Sequence, residues 1–217
     1  MFGTAEELSI AGVTLLQYRN KSGSARQMLE QARELKRRVG HCVKLIMNDR
    51  ADLCLAADFD GLHVGQDDLS PEAARRIIGG SQSEGATSAA KAVVESGVDI
   101  AALKRCATQD QEFCPRWLGV STHNPEQLAE ADKTTADYLA IGPVFATSSK
   151  ANPDPVVGLE GVRRARELTH KPLVAIGGIT RANARSVIEA GADAVAVISD
   201  LLREPRKSAE EFLAILR

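Results

Sequence analysis

Four stretches of this 217-residue chain share one cadence: a charge-bearing helical stretch, a short Gly or Ala-Asp break, then a compact apolar run. They are SIAGVTLLQ, ESGVDIAAL, KTTADYLAIG and IEAGADAVAV. Short β-branched runs with little polar alternation mark strands buried on both faces, and helices between them make those strands parallel. Strands are expected near Val13–Tyr18, Val43–Met47, Gly61–Val64, Leu118–Val120, Tyr138–Ile141, Leu173–Ile176 and Ala194–Val197. Ser70-Pro71 and Asn124-Pro125 each pair an N-cap with a first-turn proline, and Gly191 follows a helix that runs from about Asn183.

Such a rhythm fits a (β/α)8 barrel or an open doubly wound sheet. No G-x-G-x-x-G follows the first strand, so the dinucleotide-binding version is poorly supported and the α/β barrel leads. The length suits one such domain, residues 1–217. In a barrel, chemistry sits where strands run into helices, and the returns from helix to strand serve stability.

A formal net charge of −2 argues against a nucleic-acid or anionic-membrane partner while leaving room for a local cationic site. Cys42, Cys54, Cys106 and Cys114 form no C-x-x-C pair, and the chain start is not signal-like, so free thiols in a reducing, cytoplasmic compartment are expected. No apolar run approaches a membrane span.

Polar residues cluster at the expected strand ends. Gln17, Arg19 and Lys21 alternate, so an extended chain brings them out on one side, where an amide and two cations suit a polyanion. Charges that simply face water are the alternative. Asn48-Asp49-Arg50 and Gly65-Gln66-Asp67-Asp68 put carboxylates past two neighbouring strands. Each acid alone fits a helix cap; with Arg19 and Lys21, Asp49 and Asp68 read as a Mg²⁺ and diphosphate site. Ser121 leaves its strand directly, whereas His123 is read first as a structural hydrogen-bonder. The loop from Gly142 through Thr147, Ser148 and Ser149 to Lys150 offers hydroxyls and a cation, and Gly177-Gly178 with Ile198-Ser199 sit where barrels often bind a monophosphate.

These motifs, in order, resemble the thiamine-phosphate synthases: QYRNK, N-D-R at 48–50, HVGQDD, G-V-S-T-H at 119–123, G-P-V-F-A-T-S-S-K at 142–150, A-I-G-G-I and V-I-S. The resemblance covers nearly all of residues 8–80 and 117–202. It implies a (β/α)8 barrel joining a hydroxymethylpyrimidine diphosphate to a thiazole ethyl phosphate, with thiamine phosphate and pyrophosphate as products. Gln17, Arg19, Lys21, Asn48, Ser121 and Lys150 would then hold the pyrimidine diphosphate, with Tyr18 and Asn20 between them in the first motif. Asp49 and Asp68 would bind Mg²⁺. Thr147, Ser148, Ser149 and Gly178 would take the thiazole phosphate, lined by Ile198 and Ser199. Arg19, Lys21, Ser121 and Lys150 would carry catalysis by neutralising the leaving diphosphate. No enzymic nucleophile is required, which accords with the lack of a convincing Cys/His or Ser/His pair in the sequence.

The chain departs from the family pattern twice. Only MFGTAEELSI precedes the A-G-V-T segment, so the family's first strand has no counterpart and two sheet edges are expected to stay open, which makes a homodimer covering them a further expectation. Residues of about 81–116 form an extra segment before the fifth strand of the family order, expected as an excursion on the stability face; the alternative, that it supplies the eighth strand, would part the loops bearing Asp68 and Ser121 by about 4.8 Å. The rival functions are a thiazole tautomerase using His123 and a noncatalytic thiamine-phosphate binder.

Overall fold

The computed structural model describes residues 1–79, 116–147 and 154–216. Among the described residues, seven strands form one parallel sheet in chain order. They are β1 (Leu15–Tyr18), β2 (Lys44–Asn48), β3 (Gly61–Val64), β4 (Trp117–Thr122), β5 (Tyr138–Ile141), β6 (Leu173–Ile176) and β7 (Ala194–Ala196). Helix α1 (Phe2–Ile10) precedes β1, and α2 (Ala25–Val39), α3 (Ala51–Ala56) and α4 (Pro71–Ile78) follow the first three strands. After β4 come α5 (Pro125–Asp132), α6 (Gly158–Leu168), α7 (Ala184–Glu189) and α8 (Pro205–Leu216). The central strands are buried from both sides, with Leu45, Leu62, Leu118, Leu139 and Leu173 at zero exposure, while β1 and β7 at the ends are more open. This is the α/β barrel class, and among the described residues β1 and β7 end the sheet without pairing to each other.

Local chemistry sets the helices. Ser24 and Gln27 form a reciprocal capping box at the start of α2, whose buried Met28, Ala32, Leu35 and Val39 recur at helical spacing. Ser70 and Asn124 accept the amides of Ala73 and Gln127, the two caps expected ahead of Pro71 and Pro125. Two strands start later than expected because helix ends capture their first amides. Val13 donates to Leu8 and Val43 to Val39, so β1 begins at Leu15 and β2 at Lys44.

The aspartate just before a strand, which is the Ala-Asp break at Asp137 and Asp193 and follows Phe59 at Asp60, has a structural purpose. Asp60, Asp137 and Asp193, each just before a strand, donate their amides to the carbonyls of Leu45, Leu118 and Leu173. The same three carboxylates accept the amides of those leucines at 2.9, 2.7 and 2.7 Å. A cation from the helix that precedes the leucine's strand neutralises each: Lys36 of α2 for Asp60, Arg75 of α4 for Asp137 and Arg166 of α6 for Asp193. The amino-terminal end of the sheet is thereby clasped strand to strand.

Residues 80–115, the greater part of the extra segment, lie outside the described residues. Its expected alternative, an added strand between β3 and β4, is overturned by direct pairing of Gly61 with Trp117 through Val64 with Val120. Arg75 reaches the Arg116 carbonyl, and Arg116 reaches the Phe59 carbonyl, so the chain re-enters at the clasped end.

Candidate active site

At the carboxyl end of the sheet, β1 and β2 bring their polar residues together. Gln17 Nε2 donates to Asn48 Oδ1 at 2.7 Å, and Lys21 Nζ lies 2.9 Å from Asp49 Oδ2. Arg19 is exposed, and none of the described residues pairs with its guanidinium. Tyr18 alternates to the opposite face of β1. It is buried, donates to Gln31 Oε1 and packs edge-on against Phe59, so the structure places it in the α2 packing and not at the mouth. Asn20 is engaged within its loop, accepting the amides of Ser22 and Gly23 and thereby shaping the turn that carries Lys21.

Asp49 adopts a φ of +63°, in the left-handed region that Asp tolerates better than most side chains. Burial raises its carboxyl above the ordinary range, Lys21 opposes that, and the neighbouring Asp68 adds to it. Asp68 also accepts the Gly65 amide at 2.8 Å, which closes its own turn. No group of three or more His, Cys, Asp or Glu suited to a metal occurs among the described residues. Two carboxylates are nevertheless the set that Mg²⁺ takes when substrate oxygens and water complete its shell. Burial does most to disfavour the Asp49 charge and the nearby Asp68 adds to it, a cost that a divalent cation would offset, so the residues fit that ion.

The sequence expectation of no Ser/His pair is overturned. His63 on β3 lies with Nε2 2.7 Å from Ser121 Oγ on β4, and its Nδ1 is 3.0 Å from the Tyr138 hydroxyl on β5. Burial pulls the His63 imidazole down to about 4, so it is neutral, and burial raises the Tyr138 phenol. Gln66 donates to the Ser121 carbonyl at 2.6 Å and ties the β3 loop to β4. The pair escapes sequence reasoning because its members are 58 residues apart and meet only through the β3–β4 register. The inward alternation of His63 with Gly65 and of Gly119 with Ser121 is the signal that could find it. His123 has the structural contacts expected of it: Nδ1 sits 2.6 Å from the Gly142 carbonyl, and its amide donates to Gln127. Burial pushes the Cys54 thiol up to about 12, which leaves it inert as a nucleophile.

The loops after β5 and β6 lie against each other. Val144 and Phe145 donate to the carbonyls of Ile176 and Gly177, and Gly178, at φ +64°, passes so near that a Cβ would stand 2.5 Å from the Ala146 carbonyl. Thr147 therefore enters the same end of the sheet as Gly178; Ser148, Ser149 and Lys150 lie outside the described residues. Ile198 and Ser199 are exposed beyond β7. Arg181, which the sequence reading did not single out, holds this corner through Asp200 at 3.0 Å and through Glu211.

Comparison with known proteins follows the same lines. A family profile described as thiamine monophosphate synthase matches residues 1–110 and 88–201. Over 212 residues, 98% of this chain and 84% of the relative, the sequence is 57% identical to the thiamine-phosphate synthase of Koribacter versatilis. It is 41% identical over 197 residues to that of Chloroflexus aurantiacus, covering 89% of this chain and 74% of the relative. The solved thiamine phosphate pyrophosphorylase from Pyrococcus furiosus superposes with a TM-score of 0.76 at 31% identity, over 99% of this chain and 88% of that one.

Proposed function

The chain belongs to the thiamine monophosphate synthase family, and from that premise we propose that it joins 4-amino-2-methyl-5-hydroxymethylpyrimidine diphosphate to 4-methyl-5-(2-phosphoethyl)thiazole, releasing pyrophosphate and forming thiamine phosphate. One observation carries the reading: Gln17, Lys21, Asn48 and Asp49 converge on a single corner of the sheet mouth beside Asp68. An enzyme acting only on a monophosphate has no use for such a corner.

In this reaction the bond from the pyrimidine methylene carbon to the diphosphate oxygen breaks, and the thiazole nitrogen bonds to the same carbon. The aminopyrimidine carries the positive charge as the diphosphate departs with the bonding pair. The protein's part is positioning and charge neutralisation. Lys21 and Arg19 supply cations to the diphosphate oxygens, with Lys150 as a third. Gln17 and Asn48, already bonded to each other, orient the head of the substrate, and Ser121 adds a hydroxyl. Asp49 and Asp68 would hold Mg²⁺, which when bound spreads the negative charge of the leaving group. Thr147, Ser148, Ser149 and the Gly178 backbone would receive the thiazole phosphate, with Ile198 and Ser199 beside it.

Free Cys42 and Cys54 support a reducing, cytoplasmic setting, and no helix among the described residues is long and apolar enough to cross a membrane. The open ends of the sheet support a second copy covering them; a monomeric mass by light scattering would count against that dimer. The decisive experiment incubates the protein with both substrates and Mg²⁺ and reads thiamine phosphate as fluorescent thiochrome. Turnover that disappears with EDTA and in Asp49→Ala supports the reading, and a folded protein without turnover overturns it.

A further inference from the structure

His63, Gly119 and Tyr138 are register partners on β3, β4 and β5, one row across the sheet. Residues two strands apart are separated by about 9.6 Å, and a side chain on the middle strand would normally stand between them. Here the middle residue has none: a Cβ on Gly119 would lie 2.0 Å from Tyr138 Cζ. The rings of His63 and Tyr138 stack through that gap with centroids 5.6 Å apart, and Nδ1 meets the phenol. Ser121, the next inward position above Gly119, meets Nε2.

A neutral imidazole carries one proton, so the chain of hydrogen bonds has two polarities. In one, Nδ1–H donates to the phenol oxygen and Ser121 donates to Nε2. The phenolic hydrogen then has no acceptor, because His63 is the one hydrogen-bond partner of Tyr138 among the described residues. In the other, the phenol donates to Nδ1, Nε2–H donates to Ser121 Oγ, and the serine hydrogen is released toward the mouth. Each polarity makes two bonds and leaves one hydrogen over, but the second leaves it on Ser121 at the mouth, where solvent or a ligand can accept it, and leaving an enclosed donor unpaired is the larger cost.

We propose that Tyr138 and His63 are positioning residues that fix Ser121 as a hydrogen-bond donor to an anionic oxygen at the mouth and bar it from acting as a nucleophile. This deepens the function given above, on which the anion is the diphosphate. An Nε2 that already bears hydrogen cannot take the serine proton, so the Ser/His pair is set for binding an anion and not for acyl or phosphoryl transfer through serine.

The test reads the tautomer itself. In ¹H–¹⁵N correlation spectra of histidine-labelled protein, with His63 assigned by the signal lost in His63→Gln, the expected pattern is a bare Nδ1 and a protonated Nε2. Tyr138→Phe is expected to lose that single tautomer and to weaken pyrophosphate binding in the presence of Mg²⁺ by about tenfold. Ser121→Ala is expected to weaken it similarly, and to add little in the Tyr138→Phe background. An Nδ1-protonated His63 in the unmutated protein overturns the proposal, as does a Tyr138→Phe variant with unchanged tautomer and affinity. Neither readout needs turnover. A protein that makes no thiamine phosphate but shows the Nε2 proton and the coupled losses sinks the function and supports the positioning role.

Discussion

Lys21 and Asp49 form an ion pair 2.9 Å long across the mouth ends of β1 and β2. The lysine sits on a loop shaped by Asn20, and the aspartate on a left-handed turn, so two unrelated local devices bring one cation to one half-buried acid. Lys21→Ala should lower kcat/KM for the pyrimidine diphosphate by about 100-fold, the usual loss when one preorganised partner of a developing negative charge is removed. Steady-state kinetics with the thiazole phosphate saturating measures this, and a change confined to the thiazole KM would contradict it.

Gly178 separates two loops that have no space for a side chain. Gly178→Ala pays a left-handed backbone cost of about 1–2 kcal/mol and must also push the Ala146 carbonyl away. The expected result is a lower midpoint in thermal unfolding together with a raised KM for the thiazole phosphate. An unchanged KM would remove Gly178 from that subsite.

Asp60 gives the fold an acid-sensitive clasp. Burial alone would raise its carboxyl, but the Leu45 amide, Lys36 and Lys44 outweigh burial and hold it below its ordinary 3.8. A depressed folded-state pKa means stabilisation that is complete above 3.8 and fades as pH falls through the folded value. Asp60→Asn should therefore cost about 1–3 kcal/mol near neutrality and progressively less in acid. Urea unfolding near neutrality and near pH 3 compares the two proteins, and an equal gap at both would refute the assignment.

Arg75 serves the same end of the sheet as a neutral-pH strut. Its side chain is 11% exposed, and its guanidinium donates to the Arg116 and Thr135 carbonyls and to Asp137. Arg75→Ala leaves these acceptors unpaired, so a loss of about 2–4 kcal/mol is expected with kcat per folded molecule unchanged. A lowered kcat at full folding would show that the two ends of the sheet are coupled.

The strands and the polar residues at their ends were legible because each property is local: apolar runs, caps and punctuation all act within a few residues. What escaped needs register. Tyr18 is the second residue of QYRNK, but strand alternation sends it to the α2 side, away from Gln17. His63 and Ser121 become neighbours only when β3 is known to pair with β4. The Ala-Asp breaks at Asp137 and Asp193 were visible as punctuation, whereas their carboxylates act on amides 19 and 20 residues earlier, and Asp60, which follows Phe59 and was not singled out, acts 15 residues earlier.

Those three clasps also act as a register check. Each aspartate both gives an amide hydrogen to and takes one from a single leucine, so a strand slipped by one residue would lose both bonds and bring its carboxylate toward carbonyl oxygen. Alignment is thus settled at the end of the sheet away from the chemistry, and the mouth inherits it. The chain between Gly79 and Arg116 can then vary in length without shifting Ser121 against His63, because β4 takes its alignment from Asp60 and Asp137 and not from the residues that lead into it.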